Sequence, residues 1–143
     1  MRILLSILPD VLGPDLKIVF CGTAAGRKSA DLGYYYAGNG NKFWKTLFST
    51  GLTPRLLLPS EFRDLITWGI GLTDMVKDKS GMDSSLVRSD FRNNGLVEKI
   101  MKYNPKILCF NGKKAAKEFY GYDRVEYGLQ EKGVYDTRIF IAP

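Results

Sequence analysis

Two short segments of this sequence carry residue types that could bind a nucleobase. Residues 22–26 (Gly-Thr-Ala-Ala-Gly) directly follow the apolar run 17–21, which predicts a strand that ends in a glycine-flanked turn. Residues 33–41 are rich in glycine and tyrosine and lead into Phe43 and Trp44. In open α/β sheets, ligands bind at the carboxyl ends of the strands. Backbone amides next to an aromatic platform therefore predict a nucleobase pocket in this part of the chain.

The polar stretch 27–41 offers contacts to a nucleic acid. The candidates for contacting its phosphates are Arg27, Lys28 and Ser29, and those for stacking on a base are Tyr34, Tyr35 and Tyr36. Three consecutive tyrosines cannot all face inward on a regular element, so at least one is expected at the surface. The alternative is a solvated loop that is held by one tyrosine packed in the core.

A second strand-to-helix connection could hold a phosphate. Residues 107–110 predict a buried strand, and Asn111 and Gly112 connect it to a helix that begins with Lys113 and Lys114. The amides at the start of a helix and the lysine charge both attract anions. The alternative is an ordinary tight turn in which Gly112 only permits the change of direction.

Few side chains are candidates for acid–base or metal chemistry. Three aspartates are predicted to lie in loops near the pocket, namely Asp31, Asp74 and Asp78, and a solvated acid or a helix cap is the ordinary interpretation of each. The sequence has no histidine, which excludes a histidine general base. Cys21 and Cys109 lie in apolar runs without metal-ligand spacing, so we predict buried thiols and neither a metal site nor a cofactor.

Length, composition and charge bound the domain organisation and the partner. With 143 residues, of which 45% are apolar and 25% charged, we predict one globular domain over residues 1–143. The net charge of +6 favours a polyanionic partner or an anionic substrate. The apolar start, residues 1–8, is too short for a signal peptide, and no segment reaches membrane-spanning length. We therefore expect a cytoplasmic protein that does not bind membranes.

Apolar strands alternate with amphipathic helices along the chain. The predicted strands are residues 17–21, 107–110 and 138–142. The predicted helices are residues 41–50, a helix capped by Ser60 that buries Phe62, Leu65 and Ile66, a helix that buries Leu96, Val97, Ile100 and Met101 and ends at Asn104, and a helix from residue 113. Such alternation indicates a parallel sheet covered on both faces. We predict an α/β fold, a three-layer α/β/α sandwich whose central, mostly parallel sheet has four to five strands.

These segments resemble the uracil-DNA glycosylase superfamily, and specifically its mismatch-specific branch, which includes thymine-DNA glycosylase. The most specific motif is the aromatic-Ala-Gly-x-Gly-Asn-x-Phe-Trp run at residues 36–44. The other matching segments are residues 8–12, 20–26, 33–35, 51–54, 71–76 and 110–113. The resemblance implies an enzyme without metal or cofactor that flips a deaminated or mismatched base out of duplex DNA and breaks its N-glycosidic bond.

The resemblance also implies roles for individual residues. It places Gly22, Thr23, Ala24 and Ala25 around the base, Tyr36 as the ring that stacks on it, and Asn41 in the pocket wall. It assigns Ser29, Gly112 and Lys113 to the DNA backbone, which Lys28 could contact as well.

Two departures from the family pattern predict weak or altered activity. The family's turn typically reads Gly-Ile-Asn-Pro-Gly, and its asparagine positions the attacking water. Ala24 stands at that position and can neither donate nor accept a hydrogen bond, a loss that typically costs about 10²–10⁴ in rate. The sequence given stops at Pro143, where relatives continue with a loop that wedges into the duplex and a final helix.

Three functional hypotheses follow from the sequence. The first is a monomeric DNA glycosylase of the mismatch-specific uracil type, in which Asp31 is the nearest candidate for activating water. The second is a catalytically impaired protein that binds DNA lesions or mismatches through the same cleft. The third is an α/β domain that binds small-molecule nucleotides.

Overall fold

The computed structural model describes residues 7–81 and 95–143, and it contains a five-stranded sheet. The strands are β1 (Ile18–Ala25), β2 (Ile70–Ser80), β3 (Ile107–Asn111), β4 (Gly128–Leu129) and β5 (Arg138–Ala142). Their order across the sheet is β2-β1-β3-β5-β4, with β4 antiparallel to β5 and the other pairs parallel. The predicted mostly parallel sheet is confirmed, including the strands predicted at residues 107–110 and 138–142.

Helices cover both faces of this sheet. They are α1 (Arg27–Leu32), α2 (Phe43–Ser49), a 3₁₀ helix (Pro59–Trp68), α3 (Leu96–Tyr103) and α4 (Lys113–Tyr120). Alternate residues of β1 point to opposite faces, as a strand requires. Val19 and Cys21 share a core with α3 and α4, whereas Phe20 shares one with α2 and the 3₁₀ helix. The two cores confirm the three layers. Within the described ranges, no helix is long and apolar enough to span a membrane.

The turn predicted at residues 22–26 is wrong for most of its length. β1 continues to Ala25, and only Gly26 leaves the sheet. Gly22 lies opposite Asp74 and Ala24 lies opposite Val76 in the parallel pairing with β2. This pairing overrides the weak strand preference of glycine and alanine. The polar stretch after it begins as helix α1 instead of an irregular loop.

The predicted positions of the three aspartates are also wrong. Residues 70–80, which include Asp74 and Asp78, form the continuous strand β2. Asp74 and Asp78 therefore lie on a strand, and Asp31 lies on α1. Long-range pairing with β1, which is invisible in the local sequence, makes this segment a strand.

Two predicted helices bury a narrower stripe than expected. The 3₁₀ helix buries Phe62 and Leu65 and leaves Ile66 exposed, and α3 buries Leu96 and Ile100. Val97 and Met101 are exposed as well. A short helix that packs on a sheet buries only one side chain in every three or four, so the apolar residues next to those positions stay at the surface.

The start of the 3₁₀ helix differs from the prediction too. The preceding residue is Leu58 instead of Ser60, and its N–H donates to Glu61 Oε1 over 2.9 Å. The Glu61 side chain, three residues into the helix, thus reaches back to the backbone N–H of the residue that precedes the helix, as the acidic residue of a capping box does.

Candidate active site

A cavity of about 390 Å³ lies where β1 leaves the sheet and meets the loop formed by residues 33–41. From residues 22–41, the lining includes the site candidates Gly22, Thr23, Ala24, Ala25, Arg27, Lys28, Ser29, Tyr35, Tyr36 and Asn41. The two segments that predicted a nucleobase pocket are therefore brought together in one site. Asp74 from β2 and Asn111 from the end of β3 add two polar groups to the lining.

Asp74 is the acid of this cavity. Its side chain is only 6% exposed, and its carboxylate accepts a hydrogen bond from the Gly22 N–H. A Cβ atom at position 22 would lie 2.9 Å from Asp74 Oδ1 and 3.5 Å from the Tyr36 hydroxyl oxygen. Glycine at position 22 thus leaves the space in which the carboxylate and the tyrosine hydroxyl approach the strand.

Burial changes the acidity of Asp74. Removal from water raises the pKa of its carboxyl group from 3.8 to about 6, against the opposing charge of Lys77 and the Gly22 hydrogen bond. A carboxylate with a pKa in this range is ionised at neutral pH and basic enough to accept a proton from a bound water. The cavity therefore holds a group capable of general base catalysis.

The raised pKa predicts that replacing Asp74 with asparagine stabilises the protein above pH 6. The folded state holds the proton more tightly than the unfolded chain, so wild-type stability falls as the pH rises from about 4 to about 6. Asparagine removes this penalty, which the shift puts at about 3 kcal/mol. We expect urea denaturation to show Asp74→Asn more stable at pH 8 and equal to wild type at pH 3. Equal stability at both values would contradict the buried, ionised carboxylate.

The close approach at Gly22 predicts a cost for any side chain there. Gly22→Ala is expected to lower the free energy of unfolding by about 1–3 kcal/mol, because its Cβ displaces the Asp74 carboxylate. Gly38→Ala is the matched control, since Gly38 lines the same cavity and its Cβ would have no neighbour within 4 Å. Equal stability of the two variants in urea denaturation would show that the carboxylate does not occupy this space.

Tyr36 forms an aromatic wall of the cavity. Its ring stacks on Phe43 with centroids 4.0 Å apart and planes 26° apart. Its hydroxyl oxygen accepts a hydrogen bond of 2.7 Å from the Asn111 side-chain amide, which joins the loop to the end of β3. Burial raises the pKa of Tyr36 well above its usual value, so its hydroxyl stays protonated. Phe43 thus holds one face of the Tyr36 ring, and Asn111 holds its hydroxyl group.

Tyr35 holds the loop in the core, in agreement with the alternative interpretation of the tyrosine triplet. It is 1% exposed, and its hydroxyl donates to the Pro9 carbonyl oxygen over 2.9 Å. Lys77 Nζ donates to the same hydroxyl over 3.1 Å. Tyr34 and Tyr36 are partly exposed, which confirms that the three rings do not all face inward. One buried tyrosine therefore positions its neighbour for the cavity.

The polar candidates of the loop and of α1 mostly fix the backbone. Ser29 is buried, and its Oγ accepts a hydrogen bond of 2.9 Å from the Ala37 N–H. Asn41 is exposed, and its Oδ1 accepts one of 2.9 Å from the Phe43 N–H at the start of α2. Lys28 is exposed at the cavity edge. Of the three phosphate candidates at residues 27–29, Arg27 and Lys28 are thus presented in the manner that the sequence suggested, since both are exposed and both line the cavity.

The second connection borders the cavity through Asn111, whereas Gly112 lies beside the cavity and does not line it. The Gly112 N–H donates to the Ala142 carbonyl oxygen over 2.8 Å, and a φ of 99° suits glycine at this position. Lys113 Nζ lies 4.4 Å from the centre of the Tyr127 ring. Gly112 lines an adjoining groove of about 760 Å³, which also contains Tyr36 and Asn111.

The remaining acids stay away from the cavity. Asp31 is exposed on α1 and does not line the cavity, and Asp78 is exposed on β2. Within residues 7–81 and 95–143, no three histidine, cysteine, aspartate or glutamate side chains are grouped so that they could hold a metal ion. Asp74 is therefore the acid that the described site offers for chemistry.

The match of the chain to a known family decides its affiliation. Residues 9–143 match the family model described as "Uracil DNA glycosylase superfamily". The chain belongs to the uracil DNA glycosylase superfamily. Its fold is also similar to a solution NMR structure of a "putative Uracil DNA glycosylase" from Methanosarcina acetivorans, with a TM-score of 0.56 and 23% identity. That similarity covers 94% of this chain and 81% of the other, and it shows a shared fold.

In this member of the superfamily, Asp74 lies at the pocket, as the sequence predicted, but on strand β2 instead of in a loop. Its neighbours Thr73 and Met75 are strand formers within an otherwise apolar run, so an acid there is a signal for a buried carboxylate. Asn111 was named only as part of a turn, although a polar residue directly after a buried strand marks the ligand-binding edge of a parallel sheet. Superfamily membership supports a glycosylase-type function with DNA as the partner.

Proposed function

We propose that the protein is a monomeric base-excision repair glycosylase of the mismatch-specific type, which hydrolyses the N-glycosidic bond of uracil or a related deaminated or mismatched base in DNA. The observation that carries this proposal is the buried Asp74 carboxylate in the cavity, beside the Gly22 amide and the Tyr36 hydroxyl. It supplies the water-activating group that the sequence did not reveal.

The proposed reaction is a hydrolysis at the sugar carbon. A base flipped out of the duplex enters the cavity, and Tyr36 stacks on it. Asp74 orients a water molecule and accepts its proton while the water oxygen bonds to C1′. The bond from C1′ to the base nitrogen breaks, and its electron pair leaves with the base. The base then takes up a proton, and an abasic site remains in the DNA.

The backbone of β1 supports the developing charge on the base in this proposal. β1 pairs with β3 only as far as Cys21, so beyond it the strand edge that faces β3 is not used by the sheet. Residues 22–25 of that stretch line the cavity. Backbone amides there can polarise the base oxygens without any side chain, which suits a position 24 that is alanine.

Basic residues around the cavity provide the contacts to the DNA backbone in this proposal. Lys28 is exposed at the cavity edge, and Lys113 lies at the start of α4 beside the adjoining groove. Gly112 and Ser29 fix the two connections that carry these lysines. Such phosphate contacts make affinity fall as salt concentration rises.

The runner-up is a protein that binds lesions or mismatches in DNA without cleaving them. The observation that favours it is Ala24, which lines the cavity and cannot position a water molecule. The same cavity and the same lysines would then serve recognition alone.

The test is single-turnover base release from a duplex carrying G·U, with A·U, G·T and inosine duplexes alongside. We expect release from G·U by the unaltered protein, and Ala24→Asn in parallel shows whether a second water-positioning group adds to the rate. Release by Ala24→Asn alone would assign the unaltered protein to the binding role. If neither protein releases the base but both still bind the duplex, the binding role is assigned as well.

A further inference from the structure

A charged cluster lies next to the Asp74 strand and connects three parts of the chain. The Asp10 carboxylate holds Lys77 Nζ of β2 at 2.8 Å and Lys99 Nζ of α3 at 2.7 Å. Thr73 Oγ1 donates to the same carboxylate over 2.7 Å. The three charged side chains are between 15% and 28% exposed, so the cluster is mostly shielded from water.

The charges of this cluster do not balance within it. Asp10 carries one negative charge, and the two lysines carry two positive charges. Burial raises the pKa of Asp10, but the lysines outweigh that effect and hold it below its usual value, so Asp10 stays ionised. One positive charge is therefore left over beside the cavity.

The surplus positive charge of the cluster can balance the negative charge of the ionised Asp74 carboxylate nearby. Within the described part of the chain, no ion pair joins the Asp74 carboxylate to a lysine or arginine. A buried carboxylate without a nearby positive charge takes up a proton instead of staying ionised. The charges of Lys77 and Lys99 both lower the pKa of Asp74, and the charge of Asp10 raises it, so the two lysines together oppose both the burial and the Asp10 charge.

We propose that Lys77 and Lys99, held in place by Asp10, are positioning residues that keep the Asp74 carboxylate ionised, so that it can accept the proton of the attacking water. The catalytic half of this proposal rests on the glycosylase function proposed above. The electrostatic half needs no catalysis: it rests on the ion pairs that hold both lysines beside β2, on the Thr73 hydrogen bond next to Asp74, and on the effect of their charges on that carboxylate.

Other ionisable groups also surround Asp74 and must be separated from this effect. They are Cys21 on β1, Tyr35 and Tyr36 in the loop formed by residues 33–41, Asp10 before β1, Lys77 on β2 and Lys99 on α3. Burial raises the pKa values of Cys21, Tyr35 and Tyr36, so these three groups stay neutral below pH 8. Within the described residues, the charges that act on Asp74 over this pH range are therefore the fixed charges of Asp10, Lys77 and Lys99, and a variant that removes one of them changes the field at Asp74.

Lys99 is the better of the two lysines for a test. Lys77 also donates to the Tyr35 hydroxyl, so its removal would loosen the loop that carries Tyr36. Among the described residues, the ion-pair partner of the Lys99 side chain is Asp10. Lys102 is on the same helix and exposed, which makes it the matched control.

The experiment follows the Asp74 carboxyl carbon by ¹³C NMR from pH 4 to 8 in the full chain, with Asp74→Asn to assign the signal. We expect the titration midpoint of Asp74 in Lys99→Gln to lie about 0.5–1 pH unit above its midpoint in wild type. In Lys99→Arg and Lys102→Gln, we expect Asp74 to titrate with the wild-type midpoint. If Lys99→Gln does not fold, Lys99→Met, which keeps the aliphatic stem, takes its place. If Asp74 keeps its wild-type midpoint in Lys99→Gln or Lys99→Met, the proposal is overturned.

The pH dependence of single-turnover uracil release is measured on the same proteins. We expect the acid limb of the Lys99→Gln profile to move upward by the same amount as the NMR midpoint. A shifted NMR midpoint with an unmoved acid limb would overturn the catalytic half. A shifted NMR midpoint without base release from any protein, wild type included, would overturn the glycosylase function and leave the electrostatic role standing.

Discussion

Asp74→Asn is expected to lower the single-turnover rate of uracil release from a G·U duplex by about 10²–10⁴. The amide keeps the shape of the side chain and can still accept the Gly22 hydrogen bond, but it cannot take a proton from water. Because the substitution also relieves a buried charge, the variant should lose activity while gaining stability at neutral pH. If the variant is slower and yet more stable than wild type, unfolding cannot explain the loss of rate.

Asp78→Asn is the matched control for this substitution. Asp78 lies on the same strand, four residues further along, and is exposed. Its replacement removes an equal charge without touching the cavity, so we expect wild-type release. A comparable loss of rate in both variants would mean that net charge, and not the cavity carboxylate, controls the reaction.

Tyr36→Ala is expected to lower uracil release at limiting enzyme by about 10- to 100-fold, since stacking of a base on an aromatic ring is worth about 1–3 kcal/mol. The substitution removes the ring that lines the cavity, together with the hydroxyl that Asn111 holds. Release and duplex binding are measured on the same samples, and thermal denaturation shows that the variant is folded.

Two further tyrosine variants locate the effect. Tyr36→Phe keeps the ring and its stacking on Phe43 but removes the hydroxyl, so we expect a smaller loss than for alanine. Tyr122→Ala removes a ring that is exposed and stacks on Tyr120 away from the cavity, so it should leave release unchanged. Unaltered release by Tyr36→Ala would remove this residue from the base-binding wall.

The layered architecture could be predicted because hydrophobic pattern is a local property. The buried runs at residues 107–110 and 138–142 have the apolar character of strands in a covered parallel sheet, and both form such strands. The tyrosine triplet predicts that at least one ring is partly exposed, as Tyr34 and Tyr36 are, and it is the resemblance of residues 36–44 to the family motif that singles out Tyr36.

The chemistry of the site could not be predicted because it depends on which strands become neighbours. Gly22 and Asp74 are 52 positions apart in sequence, and they meet only because β2 pairs with β1 in that register. The same pairing turns a predicted loop acid into a buried carboxylate with a raised pKa. Asp31, which is close to the pocket in sequence, points to solvent because α1 presents it on its outer face.

The most direct test of the account is the pH dependence of single-turnover uracil release by wild type and Asp74→Asn. The account predicts that the wild-type rate rises with pH to a plateau with a midpoint near 6, the pKa of the buried carboxyl group. It predicts a much lower and pH-independent rate for the variant. Equal rates for the two proteins, or a wild-type rate that does not change between pH 5 and 8, would contradict Asp74 as the group that activates water.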